Sequence, residues 1–268
     1  MNSPTSPVDQ DTSAINAAYC RAALYSALAI GFQAPRKESL YRLLTDESRS
    51  SLTSAVDMLY PSRQPDLISL IEAFPSADVD STPALLTRYR GLFGHAARGP
   101  VPPYETEYGN EALFQQPQEL GDLMGFYHAF GLRLKEGEHE RPDHVSCECE
   151  FLMFLALKEA YALEHDDREM LAETRHAEKL FLRDHLARFF PTFAANLNRE
   201  DPSGFYGTLA KFGLQLVMAE CARLQVSCGA ASLGLRPADD TRVPMACGSG
   251  AECAAMPGAG TPDGSDSV

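Results

Sequence analysis

The sequence predicts an all-α protein, a single-domain bundle of roughly eight to ten helices, and three observations support this fold class. Apolar residues recur at steps of three and four along most of the chain. No stretch alternates β-branched and polar residues between hairpin turns, as strands do. Proline and glycine lie between the helical stretches, where helices begin and end.

The N-terminal part is predicted to hold four helices behind a short lead. Residues 1–10 mix Ser, Pro, Asp and Asn, a composition that favours disorder. From Asp11 an apolar face predicts a helix that ends before Pro35, because the residue before a proline disfavours the α conformation. Shorter helices are predicted at 38–44, 51–60 and 66–74.

The middle of the chain contains a capped helix and then a proline-rich loop. Thr82 and Pro83 are an N-cap and a first-turn proline, and they predict a helix that runs to Phe93 and closes at Gly94. Residues 99–109 read GPVPPYETEYG, and their three prolines exclude a regular helix because they lack an amide hydrogen. We therefore expect an ordered loop here.

The rest of the domain is predicted to hold four more helices, each with apolar residues at helical spacing. They run from Pro117 to a stop at Gly131, from about Pro142 to Leu163, from near Asp167 to the residue before Pro191, and from Ser203 to Leu224.

The composition changes after residue 228. Residues 229–268 consist largely of Gly, Ala, Ser, Pro and Asp, which bury too little apolar surface to offset the entropy of ordering. We therefore expect an all-helical domain at 11–228 and a disordered tail at 229–268.

The charge balance limits the class of partner. The formal net charge is −14 and the pI is about 4.9, so a nucleic-acid backbone or an anionic lipid surface would repel the chain at long range. A basic partner is favoured, although many proteins are acidic merely for solubility. We expect no nucleic acid as partner and no stable membrane insertion, because no window approaches the ~20 apolar residues of a membrane span.

Two features indicate the compartment. The N-terminus, MNSPTSPVDQDTSAIN, lacks a positively charged stretch followed by an apolar run, so it predicts no secretory signal. The seven cysteines are an odd number scattered along the chain, unlike the disulfide framework of a small secreted domain. A cytoplasmic protein with reduced thiols fits both features.

Two Asp-His pairs are candidates for chemistry. Asp143 and His144 close the stretch ERPDH, residues 140–144, where a helix is expected to begin. Asp143 would lie in the first turn, near the positive end of the helix dipole, and His144 would be a titratable or hydrogen-bonding group. Asp184 and His185 recur on the longest helix. Capping for the first pair and a core-facing histidine for the second are the competing structural interpretations.

An aromatic stripe and the proline-rich loop are candidates for binding. The stripe consists of Tyr89, Leu92 and Phe93, which share one helical face; such a pattern is more often core than groove. In the loop, Tyr104 and Tyr108 alternate with Glu105 and Glu107. Interleaved aromatic and carboxylate groups suit arginines, through cation–π contacts and charge-assisted hydrogen bonds. A plain structured turn is the alternative.

The sequence shows no metal or enzyme motif. Cys147 and Cys149 are two residues apart in a predicted helix, so their side chains point about 200° from one another and do not readily bind one ion. There is no GxxxxGK[ST] phosphate loop, no GxGxxG after a strand, no GxSxG elbow and no HExxH. We expect no metal, no cofactor and no catalytic residue.

Taken together, these segments resemble the TorD/DmsD/NarJ family of molybdoenzyme maturation chaperones. The resemblance rests on the stripe, then PPYETEYG, then ERPDH running into VSCECEFLMFLALKEA, and later RDHLARFFPTF. It covers roughly residues 15–225. The long PPYETEYG and ERPDH forms look most similar to chaperones of the dimethylsulfide dehydrogenase, ethylbenzene dehydrogenase, selenate reductase and chlorate reductase group.

The resemblance implies a TorD-like helical fold and a cytoplasmic chaperone that is not an enzyme. Members bind the twin-arginine signal peptide of a molybdenum oxidoreductase catalytic subunit and hold that subunit until its cofactor is inserted. With Glu107 from the same loop, the candidate peptide-binding residues are Tyr89, Leu92, Phe93, Pro103, Tyr104, Glu105, Glu107, Asp143 and His144. Weak guanine-nucleotide binding is a further expectation, as suggested for some relatives.

A twin-arginine leader needs carboxylates near one end of a hydrophobic groove. The candidate carboxylates are Asp143, Glu105 and Glu107, and the candidate groove residues are Leu92, Phe93 and Tyr104. We therefore expect residues 89–108 and 140–144 to border one open acidic cleft. Two alternatives stay open: a metal- or nucleotide-dependent hydrolase that uses the two Asp-His pairs, and a structural subunit of the oxidoreductase.

Overall fold

A computed structural model of the protein describes residues 7–75, 82–94, 98–109, 116–134 and 141–237, with side chains from residue 11 onward. Ten α-helices lie within these residues. They are α1 (Pro7–Phe32), α2 (Lys37–Leu44), α3 (Asp46–Leu59), α4 (Gln64–Glu72), α5 (Thr82–Phe93), α6 (Gln116–Ala129), α7 (Val145–Glu164), α8 (Arg168–Phe181), α9 (Ala187–Glu200) and α10 (Phe205–Leu224). A 3-10 turn at Glu105–Glu107 and a π-helical turn at Leu182–Leu186 lie among them.

The all-α prediction is confirmed over the described residues, which contain isolated β-bridges but no strand. Local sequence signals set many of the helix ends. Thr45 caps α3, since its hydroxyl accepts from Ser48 N at 3.2 Å. Gly94 and Gly131 follow α5 and α6 with φ of 93° and 72°, the left-handed conformation in which glycine commonly ends a helix. Along the described parts of the chain, no helix combines the length and the apolar character needed to cross a bilayer.

The core forms around α1 and α7, which pack extensively against each other, while α9 packs on α10. Leu24, Leu28 and Phe32 of α1 have no exposed surface. The Phe32 ring lies 5.9 Å from the Phe190 ring and 5.3 Å from the Phe193 ring, centroid to centroid. This aromatic centre joins α1 to α9, and each Å² of apolar surface it removes from water contributes about 25 cal/mol.

The start of α7 differs from its prediction. His144, rather than Asp143, stands at the N-cap, where its Nδ1 accepts from Ser146 N at 3.1 Å. The expectation that Asp143 lies within the first helical turn is wrong. Its carboxylate accepts hydrogen bonds from Thr106 and Arg141 instead, so it is not available to the amides of α7.

The helix that was predicted to end before Pro191 continues through it. After α8 comes the π-helical turn, and α9 then contains Pro191 in its interior. Because Pro191 has no amide hydrogen, the Ala187 carbonyl four residues earlier receives no hydrogen bond from it. Gly229 N donates to that carbonyl at 2.8 Å. A distant segment therefore satisfies the acceptor that the proline leaves open.

The compact unit extends at both ends beyond the domain that the sequence predicted. It reaches Arg236, whereas the predicted boundary was residue 228. α1 begins at Pro7, within the lead that was expected to be disordered. Residues 1–6 and 238–268 lie outside the described residues, so disorder there stays a prediction.

Phe193→Ala is expected to lower the free energy of unfolding by about 3–5 kcal/mol, because it leaves a cavity beside Phe32 in the aromatic centre. Tyr41→Ala is the control. Tyr41 is 64% exposed, and its truncation is expected to change stability by less than about 0.5 kcal/mol. Chemical denaturation measures both variants, and a loss at Phe193 no larger than that at Tyr41 would contradict this account of the core.

Candidate functional site

The proline-rich loop, residues 99–109, is fixed beside the start of α7 by backbone hydrogen bonds. Glu105 N donates to Asp143 O at 2.8 Å, and Val145 N donates to Pro103 O at 2.8 Å. The loop and the ERPDH stretch, both parts of the predicted site, therefore lie side by side.

Glu105 joins this loop to α9. Its side chain is only 1% exposed. Oε1 accepts from Arg188 Nε at 3.0 Å and from Arg188 Nη2 at 2.7 Å, while Oε2 lies 3.1 Å from His185 Nδ1. A forked guanidinium and a ring nitrogen offset the cost of burying the carboxylate. The loop is thereby attached to the π-helical turn and to the first turn of α9.

A second buried carboxyl group lies behind Glu105. Glu148 on α7 has no exposed surface. Burial raises the pKa of its carboxyl group well above the ordinary value, and the nearby carboxylates of Glu105 and Asp143 raise this pKa further. The neutral, protonated form of Glu148 is therefore favoured, which limits the negative charge concentrated behind the loop.

Asp143 is fully buried, and its carboxylate is bound within the chain. Oδ2 accepts from Thr106 Oγ1 at 2.7 Å and from Arg141 Nη2 at 2.7 Å, and Oδ1 accepts from Arg141 Nε at 3.0 Å. This forked pair holds the ERPDH stretch against the proline-rich loop. The structure therefore places Asp143 between two segments of the chain and not at an open surface.

His144 is buried and uncharged at neutral pH. Its Nδ1 lies 2.7 Å from Ser146 Oγ, and its Nε2 lies 3.4 Å from the Tyr89 hydroxyl. Burial lowers the pKa of the imidazole to about 3, and the positive charge of Arg141 contributes to that shift. His144 is thus a neutral helix cap.

The aromatic stripe on α5 lies in the core. Tyr89, Leu92 and Phe93 are all buried. The Phe93 ring lies 4.7 Å from the Tyr89 ring and stacks 6.1 Å from the Phe193 ring. These residues pack α5 against its neighbours, which agrees with the core interpretation of the stripe.

The proline-rich loop does bind guanidinium groups, but they belong to the chain itself. The Arg141 guanidinium lies 4.5 Å from the centroid of the half-buried Tyr104 ring, a cation–π distance. Glu107 Oε2 lies 3.3 Å from Arg98 Nε, and its Oε1 lies 3.8 Å from Arg141 Nη1. The chemistry predicted for this loop is present and is directed inward.

An open cavity lined in part by Glu105 lies between α6 and the π-helical turn. Its volume is about 680 Å³. It is lined by Glu105, Glu119, Gly121, Asp122, Gly125, Phe126, Ala129, Asp184, His185 and Arg188. We call this cavity the α6 cleft.

Carboxylates dominate the walls of the α6 cleft. The four are Glu105, Glu119, Asp122 and Asp184. Arg188 supplies the one guanidinium among the described residues that line the cleft. It is shared between Glu105 and Glu119, whose Oε1 lies 3.9 Å from Arg188 Nη2. Asp184 pairs with Arg183 at 2.6 Å near the surface, and the described residues provide no ion pair for Asp122. The cleft therefore favours a cationic ligand.

Small residues form the floor of the α6 cleft. Gly121, Gly125 and Ala129 lie four residues apart on α6, so they share one face. A Cβ atom added at Gly121 or Gly125 would have no neighbour within 4 Å. This face was not among the predicted site residues. Its signal in the sequence is two glycines inside a helix, where each costs about 1 kcal/mol relative to alanine.

Only Glu105 of the nine predicted site residues lines the α6 cleft. The structure brings most of the others together around the loop, but it buries Asp143, His144 and the aromatic stripe. The second Asp-His pair, Asp184 and His185, does line the cleft.

Neither Asp-His pair has the geometry of a hydrolytic site. Asp143 and His144 are sealed from substrate. Asp184 is bound by Arg183, and His185 lies against Glu105. Across the described ranges, no three His, Cys, Asp or Glu side chains come together as a metal-binding group.

A protein-family model described as the nitrate reductase delta subunit matches residues 59–195, which is half of the chain. The matched region contains the proline-rich loop, α6, the start of α7 and the π-helical turn. All the residues that line the α6 cleft therefore lie within it.

Three of the similar proteins show the range of the resemblance. The chain is 25% identical over 205 residues to the chaperone protein TorD of Vibrio cholerae serotype O1, covering 75% of this chain and 90% of that protein. It is 41% identical over 83 residues to the selenate reductase assembly chaperone protein of Thauera selenatis, covering 31% and 42%. It is 38% identical over 95 residues to the chlorate reductase assembly chaperone protein of Ideonella dechloratans, covering 35% and 45%. These proteins are named as chaperones and not as enzymes, and the predicted family resemblance is confirmed.

His144 is expected to make the folded protein less stable as the pH falls below about 6.5. The unfolded chain takes up a proton on this histidine near that pH, whereas the pKa in the folded protein is about 3. Between these two values the unfolded state binds more protons, so stability declines with falling pH by up to about 1.4 kcal/mol per pH unit.

The variant His144→Asn isolates this effect, because asparagine is a good N-cap but does not titrate. The free energy of unfolding of both proteins is measured by chemical denaturation from about pH 7 to about pH 4.5. The advantage of the wild type over the variant is expected to shrink as the pH falls. A difference that is independent of pH would contradict a buried neutral imidazole.

Proposed function

This chain belongs to the nitrate reductase delta subunit family, and we propose that it is a cytoplasmic assembly chaperone for the catalytic subunit of a molybdenum-containing oxidoreductase. It binds the twin-arginine signal peptide of that subunit and holds the subunit until the molybdenum cofactor has been inserted. The names of the relatives support the chaperone role. The net charge of −14 supports a basic leader as the ligand.

The α6 cleft is the proposed binding site of the signal peptide, and its acidic wall is the main observation that supports this proposal. Two arginines need carboxylates that accept forked hydrogen bonds. Asp122 offers its carboxylate from α6, where the described residues provide no ion pair for it, and Glu119 adds an Oε2 atom that has no hydrogen bond from the described residues. Asp122 is exposed, so a guanidinium group reaches it without any opening of the fold.

The floor of the cleft suits the apolar stretch that follows the arginines. Gly121 and Gly125 let a peptide approach the backbone of α6, and Phe126 adds an aromatic surface beside them. Apolar peptide surface buried here contributes about 25 cal/mol per Å². The floor thus supplies affinity, while the carboxylates supply orientation and a dependence on salt.

We assign the other predicted residues to positioning of the cleft. Asp143 and Glu105 already bind Arg141 and Arg188, so an arginine from a ligand would have to displace a forked internal pair to reach them. Asp143 fixes the proline-rich loop, and Glu105 holds the wall of the cleft in place. His144 caps α7, whose first residue, Val145, binds the proline-rich loop.

The higher identity to the selenate and chlorate reductase chaperones, 41% and 38% over about a third of this chain, favours a client from that group of oxidoreductases. Guanine-nucleotide binding stays a prediction.

Gly125→Leu is expected to weaken binding of a synthetic twin-arginine signal peptide at least about tenfold, or about 1.4 kcal/mol, because the leucine side chain would fill the floor of the cleft. Gly91→Leu on α5 is the matched control. At both positions an added Cβ would meet nothing within 4 Å, so each substitution fits the fold, but Gly91 lies outside the cleft. Isothermal titration calorimetry measures both affinities.

Asp122→Asn is expected to weaken the same binding and to reduce its dependence on salt, since it removes one carboxylate from the wall. Asp66→Asn, at the exposed start of α4, is the control and is expected to leave the affinity unchanged. Equal affinities in the wild type, Gly125→Leu and Asp122→Asn would place the peptide elsewhere on the chain. No binding by any of these proteins would reject the proposed function.

A further inference from the structure

Residues 229–236, which we call the C-terminal strap, run from the end of α10 across α9 to the proline-rich loop. The strap begins at Gly229, whose N–H donates at 2.8 Å to the Ala187 carbonyl that Pro191 leaves open. The approach is so close that a Cβ atom on Gly229 would collide with the Arg188 carbonyl oxygen. This attachment therefore requires a proline on one side and a glycine on the other.

Thr192 holds the next part of the strap. Its Oγ1 donates to the Ala230 carbonyl at 2.8 Å and accepts from Leu233 N at 2.9 Å. Thr192 is itself buried, so both bonds are shielded from water. The N-terminal half of the strap is thus fixed to α9 without any contribution from the α6 cleft.

The other end of the strap pairs with the proline-rich loop. Gly109 N donates to the Gly234 carbonyl at 2.9 Å, and Arg236 N donates to the Glu107 carbonyl at 2.9 Å. Arg98 Nη1 donates to the Arg236 carbonyl at 2.6 Å. These bonds place the Arg236 side chain beside α6.

Arg236 binds a carboxylate of the α6 cleft. Its side chain is only 2% exposed, and its Nη2 donates to Glu119 Oε1 at 2.8 Å. The other oxygen, Glu119 Oε2, is shielded from solvent and has no hydrogen bond from the described residues. The chain therefore places one of its own guanidinium groups on an acid that lines the cleft.

We propose that Glu119 is a guanidinium-binding subsite of the α6 cleft and that Arg236 of the C-terminal strap occupies it as an internal competitor of a client arginine. This inference rests on the proposed function, because the competing ligand is the signal peptide. Replacing one guanidinium group by another preserves the charge-assisted hydrogen bond to Glu119. A lysine would not replace it equally, since an ammonium group lacks the planar fork.

Competition of this kind sets the apparent affinity. The peptide gains the Glu119 contact only in molecules from which Arg236 has moved away, so the apparent Kd rises by the reciprocal of that fraction. The bonds at Gly229 and Thr192 do not involve Glu119, and they keep the strap on α9 while its far end is displaced. The strap is thus a tethered competitor that re-forms its contact when the client leaves.

Titration of the full-length protein with a synthetic signal peptide that contains paired arginines tests this inference. Arg236→Gln is expected to bind the peptide about 3- to 10-fold more tightly than the wild type. Loss of folded structure would lower the affinity, so a gain cannot come from misfolding. Arg199→Gln, an exposed position on α9 beside Glu200, is the matched control with unchanged affinity.

Glu119→Gln supplies the second arm of the test. It is expected to weaken peptide binding and to cancel the gain from Arg236→Gln in the double variant, because the proposed competition is for the Glu119 carboxylate. A gain of the same size with and without Glu119 would overturn the assignment of this carboxylate as the shared subsite.

Amide hydrogen exchange of the wild-type protein measures directly whether the peptide displaces the far end of the strap. Saturation with the peptide is expected to speed exchange at the Arg236 and Gly109 amides, while the Gly229 and Leu233 amides keep their protection. Unchanged exchange at Arg236, together with unchanged affinity of Arg236→Gln, would overturn the competition and leave the proposed function standing. Failure of every form to bind the peptide would overturn both.

Discussion

The buried pair of Glu105 and Arg188 is the interaction on which the arrangement of the cleft depends. A carboxylate with almost no exposed surface is stable only where donors and a positive charge surround it. The main chain of Glu105 binds Asp143 just before α7, while its side chain binds α9. One residue thus connects the proline-rich loop, the start of α7 and the π-helical turn, and the wall of the α6 cleft follows from that connection.

The strongly acidic composition divides into two populations of carboxylates with different roles. Those in the conspicuous motifs are neutralised internally, as Asp143 is by Arg141 and Glu105 by Arg188. Asp122 on α6 remains exposed beside the glycine floor. The motif residues therefore hold the walls of the α6 cleft in place, whereas the surface suited to binding a cationic peptide belongs to α6.

The helices could be predicted because their signals are local, as the cap of α8 and the glycine after α5 illustrate. The motifs marked the correct region, but they did not reveal which way its carboxylates point. The partner of Glu105 lies 83 residues away, and no local pattern reports such a contact. Residues 229–236 are attached to α9 partly through the Ala187 carbonyl, which Pro191 leaves without its helical donor. The composition of the segment itself gives no indication of this contact.

The proline in α9 links two properties that are usually considered separately, the regularity of a helix and the attachment of a remote segment. Any residue with an amide hydrogen at position 191 would return the Ala187 carbonyl to the helical ladder, and two donors would then share one oxygen atom. A substitution selected for a more regular α9 would therefore weaken the attachment of the C-terminal strap to α9. In this protein the carbonyl group that an irregular helix leaves without its helical donor serves as the binding site for another part of the chain.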